Sequence, residues 1–269
     1  MKNTFSLHRF GLLLRHYTMS DFKRHLRGPV GLYFGLLVIY LMVYYVPSSR
    51  GLQHGMTEIE LTHMATGITV LMAFCSFFVY IASSFAGLHT RQKRTAFLIL
   101  PATTMEKYLS CIVFAFLNWF VAINLAVVCA DLTRMAFFPL MGHGFESILP
   151  SFYATPGDFV SITIEAAKHE FVGFPLLLLS TVIVVCVFST TFFILVSAAF
   201  RRYAILIGLL LLQGLQILVG LPLTAFGVTT DTILTVDLVV YPLLTVAAIW
   251  WSYRLFCRIE VIRHKFLPL

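Results

Sequence analysis

Residues 174–200 read FPLLLLSTVIVVCVFSTTFFILVSAAF, a run without Lys, Arg, His, Asp or Glu. As an α-helix it reaches about 40 Å at 1.5 Å per residue, more than the roughly 30 Å of hydrocarbon in a bilayer. A helix satisfies its own backbone N–H and C=O groups, so a run of this kind reads as a membrane span. Five more lie along the chain, at 29–46, 64–88, 108–130, 203–223 and 237–257. Lys and Glu are absent from all six, and Asp237 and Arg254 stand near the two ends of the last. A charge at mid-span costs about 2.5–3.5 kcal/mol on the insertion scale, so that distribution is itself the signature of spans. The whole composition agrees, with 59% hydrophobic residues, 12% charged and a mean hydropathy of +0.89, against about 25% charged in soluble domains.

The basic residues set an orientation. Lys2, Arg9, Arg15, Lys23, Arg24 and Arg27 precede the first run, and Arg91, Lys93, Arg94 and Lys107 lie between the second and third. Arg201 and Arg202 separate the fourth from the fifth, and Arg254, Arg258, Arg263 and Lys265 end the chain. That places 16 of the 19 Lys and Arg on one side, with Arg50, Arg134 and Lys168 opposite. By the positive-inside rule both termini are expected in the cytoplasm. The expected architecture is an all-α integral membrane protein, N-in and C-in. It comprises a cytoplasmic interfacial helix in 1–28, a six-span domain over 29–257 with an extracytoplasmic segment at 131–173, and a tail at 258–269. The net charge of +7 is then a topology signal and an attraction to anionic lipid, and no nucleic-acid role is expected.

Before the first run, Phe10, Leu13, Leu14 and Tyr17 recur at i, i+3, i+4 and i+7 while Arg9, Arg15, His16 and Lys23 take other faces. This pattern predicts an amphipathic helix lying in the membrane interface, broken at Gly28-Pro29. Between the second and third runs, Thr90 to Leu100 predicts a short helix that Pro101 ends. Thr103-Thr-Met-Glu106 fits a capping box, in which the Thr hydroxyl and the Glu carboxylate exchange hydrogen bonds with the first free amides of a new helix. The extracytoplasmic segment is rich in apolar residues, and Thr155-Pro156-Gly157-Asp158 predicts a helix start there, with a second helix near Ser161 to Phe171.

Polar groups within the spans are the places to look for function. Asn118 and Asn124 in the third run, and Gln213 and Gln216 in the fifth, are candidates either for interhelical hydrogen bonds or for the wall of a substrate pathway. Gly31-Leu-Tyr-Phe-Gly35 is a GxxxG pattern that permits close helix approach. Catalytic patterns are missing: there is no HExxH, GxSxG or GxxxxGK[ST]. The nine histidines lie in loops or at run ends, and the five cysteines show no CxxC spacing, so neither a metal site, a disulfide framework nor a catalytic centre is expected. No run carries the buried carboxylate of an ion-coupled carrier.

Six spans with both ends inside, a basic amphipathic helix ahead of the first, and Leu100-Pro101-x-Thr103-x-x-Glu106-Lys107 between the second and third together resemble the permease subunits of type-2 ABC exporters. The resemblance implies that the chain holds no cofactor, and that ATP and Mg belong to a separate ATPase subunit beneath it. It further implies coupling to that subunit through Arg91, Lys93, Arg94, Pro101, Thr103, Glu106 and Lys107, pairing with a second permease copy, and a bacterial inner-membrane location. Two features depart from the family pattern: Cys111 stands where a basic residue is common, and the large outer segment falls between the third and fourth runs. The alternative expectation is an ATP-independent carrier or a membrane anchor for cytoplasmic partners.

Overall fold

A computed structural model describes residues 5–20, 22–49, 58–85, 95, 99–137, 147–169, 173–200, 203–225 and 230–261. Among them the chain is helical throughout, without strands. The helices are α1 (Leu7–Ser20), α2 (Phe22–Ser49), α3 (Glu58–Ala82), α4 (Thr104–Phe137), α5 (Leu149–His169), α6 (Gly173–Ala199), α7 (Ala204–Ala225) and α8 (Thr230–Val261). Five contain stretches long and apolar enough to cross a membrane: Leu26–Tyr44, Ile59–Ala82, Thr104–Phe137, Leu177–Ala199 and Thr232–Arg258. The remaining expected span, 203–223, corresponds to α7, whose described apolar stretch is the shorter Ala204–Leu218.

Two compact units divide the chain, one of Met1–Arg15, Phe78–Ala115 and Ser161–Leu269, the other of His16–Phe77 and Phe116–Val160. In the first, the Thr181 hydroxyl meets the Leu234 carbonyl at 3.5 Å and the rings of Phe188 and Tyr241 stand 5.1 Å apart. Both contacts join residues 53 positions apart, so α6 and α8 run parallel. α7 leans on α6 at Gly208, where a Cβ would stand 2.7 Å from Cε1 of Phe193; only a glycine lets the ring come so close. The connection ahead of α7 turns through Tyr203, which takes a left-handed φ of 59° and whose carbonyl accepts the Ile207 N–H at 2.9 Å.

In the second unit, a core of Leu36, Tyr40, Ala65, Ala73, Val127 and Ala130 gathers α2, α3 and α4. Three α2 tyrosines each meet a threonine: Tyr33 and Thr133 at 3.1 Å, Tyr40 and Thr69 at 3.2 Å, Tyr44 and Thr62 at 3.4 Å. Thr69 and Thr133 spend their own protons on the carbonyls of Ala65 and Cys129, so Tyr40 and Tyr33 donate. A buried hydroxyl left without such a partner would cost about 1–3 kcal/mol. Trp119 ties α4 to α3 by donating from Nε1 to the Ala73 carbonyl and the Ser76 hydroxyl, at 3.2 and 3.1 Å. Tyr33 and Tyr44, three turns apart on α2, reach the adjacent residues Thr133 and Arg134, so α2 lies obliquely across the last turns of α4.

Two local expectations are corrected. Helix α2 continues without interruption through Gly28-Pro29, where a break was expected. The clash that usually drives the residue before proline out of the helix involves its backbone N–H and its Cβ, and Gly28 lacks the second. Helix α5 begins at Leu149, well before Thr155, and runs as one piece through Pro156 to His169, replacing the two expected segments. The apolar stripe of α1 is its covered side, with Leu13 buried and Phe10, Leu14 and Tyr17 half-buried; Leu12, Arg15, His16 and Met19 are exposed. In the GxxxG pattern Gly35 packs on the tip of Met72, while among the described residues nothing lies within 4 Å of where a Gly31 Cβ would stand.

A candidate coupling site at the start of the third long span

The capping box forms as its spacing predicts. Glu106 accepts the Thr103 N–H on Oε2 at 2.8 Å, and Thr103 Oγ1 accepts the Glu106 N–H at 3.3 Å. Two of the amides that a helix start leaves free are thereby satisfied. The other carboxylate oxygen does something the capping pattern does not announce. Oε1 accepts the backbone N–H of Ser6, at the head of α1, at 2.7 Å, and the guanidinium of Arg9 at 3.1 Å. Glu106 is fully buried, while Arg9 stays about a third exposed. A carboxylate at a helix N-terminus meets free N–H groups and the positive end of the helix dipole, so one side chain starts α4 and holds the start of α1.

Around this point the ends of four helices meet. Tyr108 donates to the Ser252 hydroxyl of α8 at 2.6 Å; Ser252 gives its own proton to the Ile249 carbonyl. Phe85 stacks on Tyr108 at 5.8 Å and packs on Phe256 at 5.5 Å, and its N–H reaches the Ser197 hydroxyl of α6 at 3.3 Å. The end of α3, the start of α4 and the ends of α6 and α8 are thus joined by aromatic packing and hydroxyl bonds. Close by in sequence, the Tyr80 hydroxyl and the Ser84 hydroxyl are buried with no hydrogen-bond partner among the described residues. At the end of α8, Arg254 lies over the Trp250 ring at 4.2 Å, a cation–π pair suited to a membrane interface, where Trp is enriched.

Of the residues expected to couple, Glu106 and Lys107 are buried, Thr103 is half-buried and Pro101 is exposed. Arg91, Lys93 and Arg94 lie outside the described residues, as does most of the expected helix from Thr90 to Leu100. Among the described residues of the segment, Ile99 and Met105 are exposed apolar side chains, and Thr95 is exposed as well. Asn124 is committed to helix packing: it donates to the Phe120 carbonyl at 2.7 Å and accepts the Tyr153 hydroxyl at 2.6 Å. Asn118 is half-buried, and Gln213 and Gln216 are exposed and half-buried on α7.

A second polar cluster, within the other unit, went unrecognised in the sequence. Asp131 and Arg134, one turn apart near the end of α4, pair at 3.1 Å with both side chains buried. Arg134 also donates to the Tyr44 hydroxyl at 2.9 Å, which leaves the Tyr44 proton for Thr62. Asp131 accepts the Ser147 hydroxyl at 2.6 Å and the Ile148 N–H at 3.2 Å, and Ser147 caps α5 by accepting the Leu149 N–H at 3.2 Å. The Asp-x-x-Arg spacing and a serine just ahead of Leu149-Pro150 were the available signals.

Among the described residues no three His, Cys, Asp or Glu side chains come together as a metal site. No protein-family model, no curated protein and no solved structure matches this chain.

Proposed function

We propose that this chain is the permease subunit of an ATP-driven exporter of the type-2 ABC class, moving a hydrophobic or amphipathic substrate with energy from a separate ATPase. In this reading it crosses the bacterial inner membrane six times with both termini in the cytoplasm, and works beside a second copy. The observation that carries the reading is the burial of Glu106 between Thr103, Ser6 and Arg9. A load applied to the 99–107 segment would move the starts of α1 and α4 together, because one carboxylate holds both. That is what a coupling element requires: a rigid connection from a cytoplasmic contact to a spanning helix.

The division of labour follows from exposure. Ile99, Pro101 and Met105 form the edge that an ATPase would touch, with Arg91, Lys93 and Arg94 as its basic flank. Glu106 and Lys107 act from behind, as positioning residues. The test is to express the tagged chain with its neighbouring genes, purify it in nanodiscs, and measure what accompanies it and whether the preparation hydrolyses ATP. A stoichiometric ATPase with nucleotide turnover supports the reading; a chain that purifies alone, without turnover in any membrane mimic, overturns it.

A further inference from the structure

Helices α6 and α8 run side by side with an offset of 53 residues, fixed by Thr181 against Leu234 and by Phe188 against Tyr241. The same offset sets Asp237 of α8 level with Val184 of α6. Val184 lies 10 residues from Phe174 and 16 from Phe200, the ends of a run without Lys, Arg, His, Asp or Glu, so about 15 Å and about 24 Å of uncharged helix extend to either side of it. From the other end of α8, Asp237 is 13 residues from Trp250, whose ring carries Arg254 at the interface, a rise of about 20 Å. Both distances put the carboxylate about 10 Å inside a hydrocarbon layer roughly 30 Å thick. Asp237, which the sequence sets at the edge of an apolar run, is an intramembrane acid, and such residues mark substrate or ion pathways.

Asp237 is half-buried, and among the described residues no hydrogen bond or ion pair reaches its carboxylate. Helices α6 and α7 contain no charged residue and no histidine, and the nearest basic residue on α8 is Arg254, 17 positions away. An ionised carboxylate at that depth needs a partner charge, and these helices supply none. We infer that Asp237 binds the cationic head of an amphipathic ligand, a protonated amine or quaternary ammonium joined to an apolar body. At its level α6 exposes Ile183 and Val187 and α8 exposes Val239, surroundings that suit hydrocarbon. A Ca²⁺ or Mg²⁺ ion calls for about six or more oxygen ligands, whereas an organic ammonium needs one counter-charge and accepts apolar or aromatic neighbours. The inference names the substrate class of the function proposed above and rests on that reading.

The test is equilibrium binding of radiolabelled tetraphenylphosphonium, a lipophilic cation, to the full chain in phosphatidylcholine nanodiscs, with tetraphenylborate, an anion of nearly the same shape, as the charge control. Saturable binding of the cation alone is expected, weakened at least about tenfold by Asp237→Asn and largely kept by Asp237→Glu. Asp231→Asn, in the first turn of α8, should leave it unchanged. No saturable binding of the cation, equal binding by Asp237→Asn, or an equal loss in Asp231→Asn overturns the site. Should Asp237→Asn not fold, labelling of Asp237 in the unaltered chain by a lipophilic carbodiimide decides: protection by the cation supports the site, and labelling that the cation does not change overturns it. The measurement needs no ATPase. Binding through Asp237 in a chain that brings no ATPase supports the site while overturning the exporter reading, and an ATPase-bearing chain without such binding does the reverse.

Discussion

Glu106 accepts the backbone N–H of Ser6 across 100 residues of sequence, at 2.7 Å. The contact joins the head of one helix to the first turn of another, and removing the carboxylate leaves the Ser6 and Thr103 amides without their acceptor. Glu106→Ala is expected to free the start of α1 by about 1–3 kcal/mol, the cost of a buried group left unpaired. Arg9→Ala should cost less, about 0.2–1 kcal/mol, because the guanidinium is partly solvated. Hydrogen exchange over residues 7–14 in detergent or nanodiscs measures both, with faster exchange expected in the glutamate variant.

The Asp131–Arg134 pair is buried on both sides, so breaking it from one side is the damaging change. Asp131→Ala strands the guanidinium and removes the acceptor of the Ser147 hydroxyl, and is expected to lower stability by about 3–5 kcal/mol. The double change Asp131→Leu with Arg134→Met should recover part of that loss, since an apolar pair leaves no buried charge, while the Ser147 hydroxyl and the Ile148 N–H still lack their acceptor. Unfolding in micelles, compared across the two single variants and the double, reads the coupling.

Gly208→Ala puts a methyl group against the Phe193 ring, 2.7 Å away. An expected cost of about 1–3 kcal/mol follows from overpacking, and Phe193→Leu in the same chain should relieve it. Gly67→Ala, with nothing within 4 Å, is the control and should gain about 0.5–1 kcal/mol. Thermal denaturation of the three variants beside the unaltered chain orders them.

Tyr203 adopts φ 59°, a conformation that costs a residue with a side-chain Cβ roughly 1–2 kcal/mol. Tyr203→Gly removes that cost, and the aromatic ring it gives up is exposed. A gain of about 1 kcal/mol in resistance to denaturant is expected.

Apolar run length was enough to locate the long helices, because lipid imposes internal hydrogen bonding on any segment that crosses it. The Thr103–Glu106 box was equally legible, since it depends on four adjacent residues. Ser6 and Arg9 were not, because their bond to Glu106 joins distant parts of the chain and no local pattern marks it. The same holds for Asp131 and Ile148: the start of α5 is set by a capping serine and a carboxylate on another helix, and the Thr155-Pro156 signal, though well formed, lies inside the helix they begin. Gly28-Pro29 misled for a different reason, since part of the clash that drives the residue before proline from the helix is with a Cβ that glycine does not have. Asn124 was legible as a polar residue in a span, and only the partner hydroxyl of Tyr153 decides that it serves packing.

The most direct measurement is photo-cross-linking from the exposed edge of the 99–107 segment. A photoreactive residue at Ile99 or Met105, with one at Phe120 on the apolar stretch of α4 as the control, would be activated in membranes that also contain the products of the neighbouring genes. The account predicts a cross-link from Ile99 and Met105 to an ATPase subunit, none from Phe120, and a weaker yield from Met105 when Glu106 is replaced by Ala. Equal labelling at all three positions, or labelling of lipid alone at Ile99 and Met105, would contradict it.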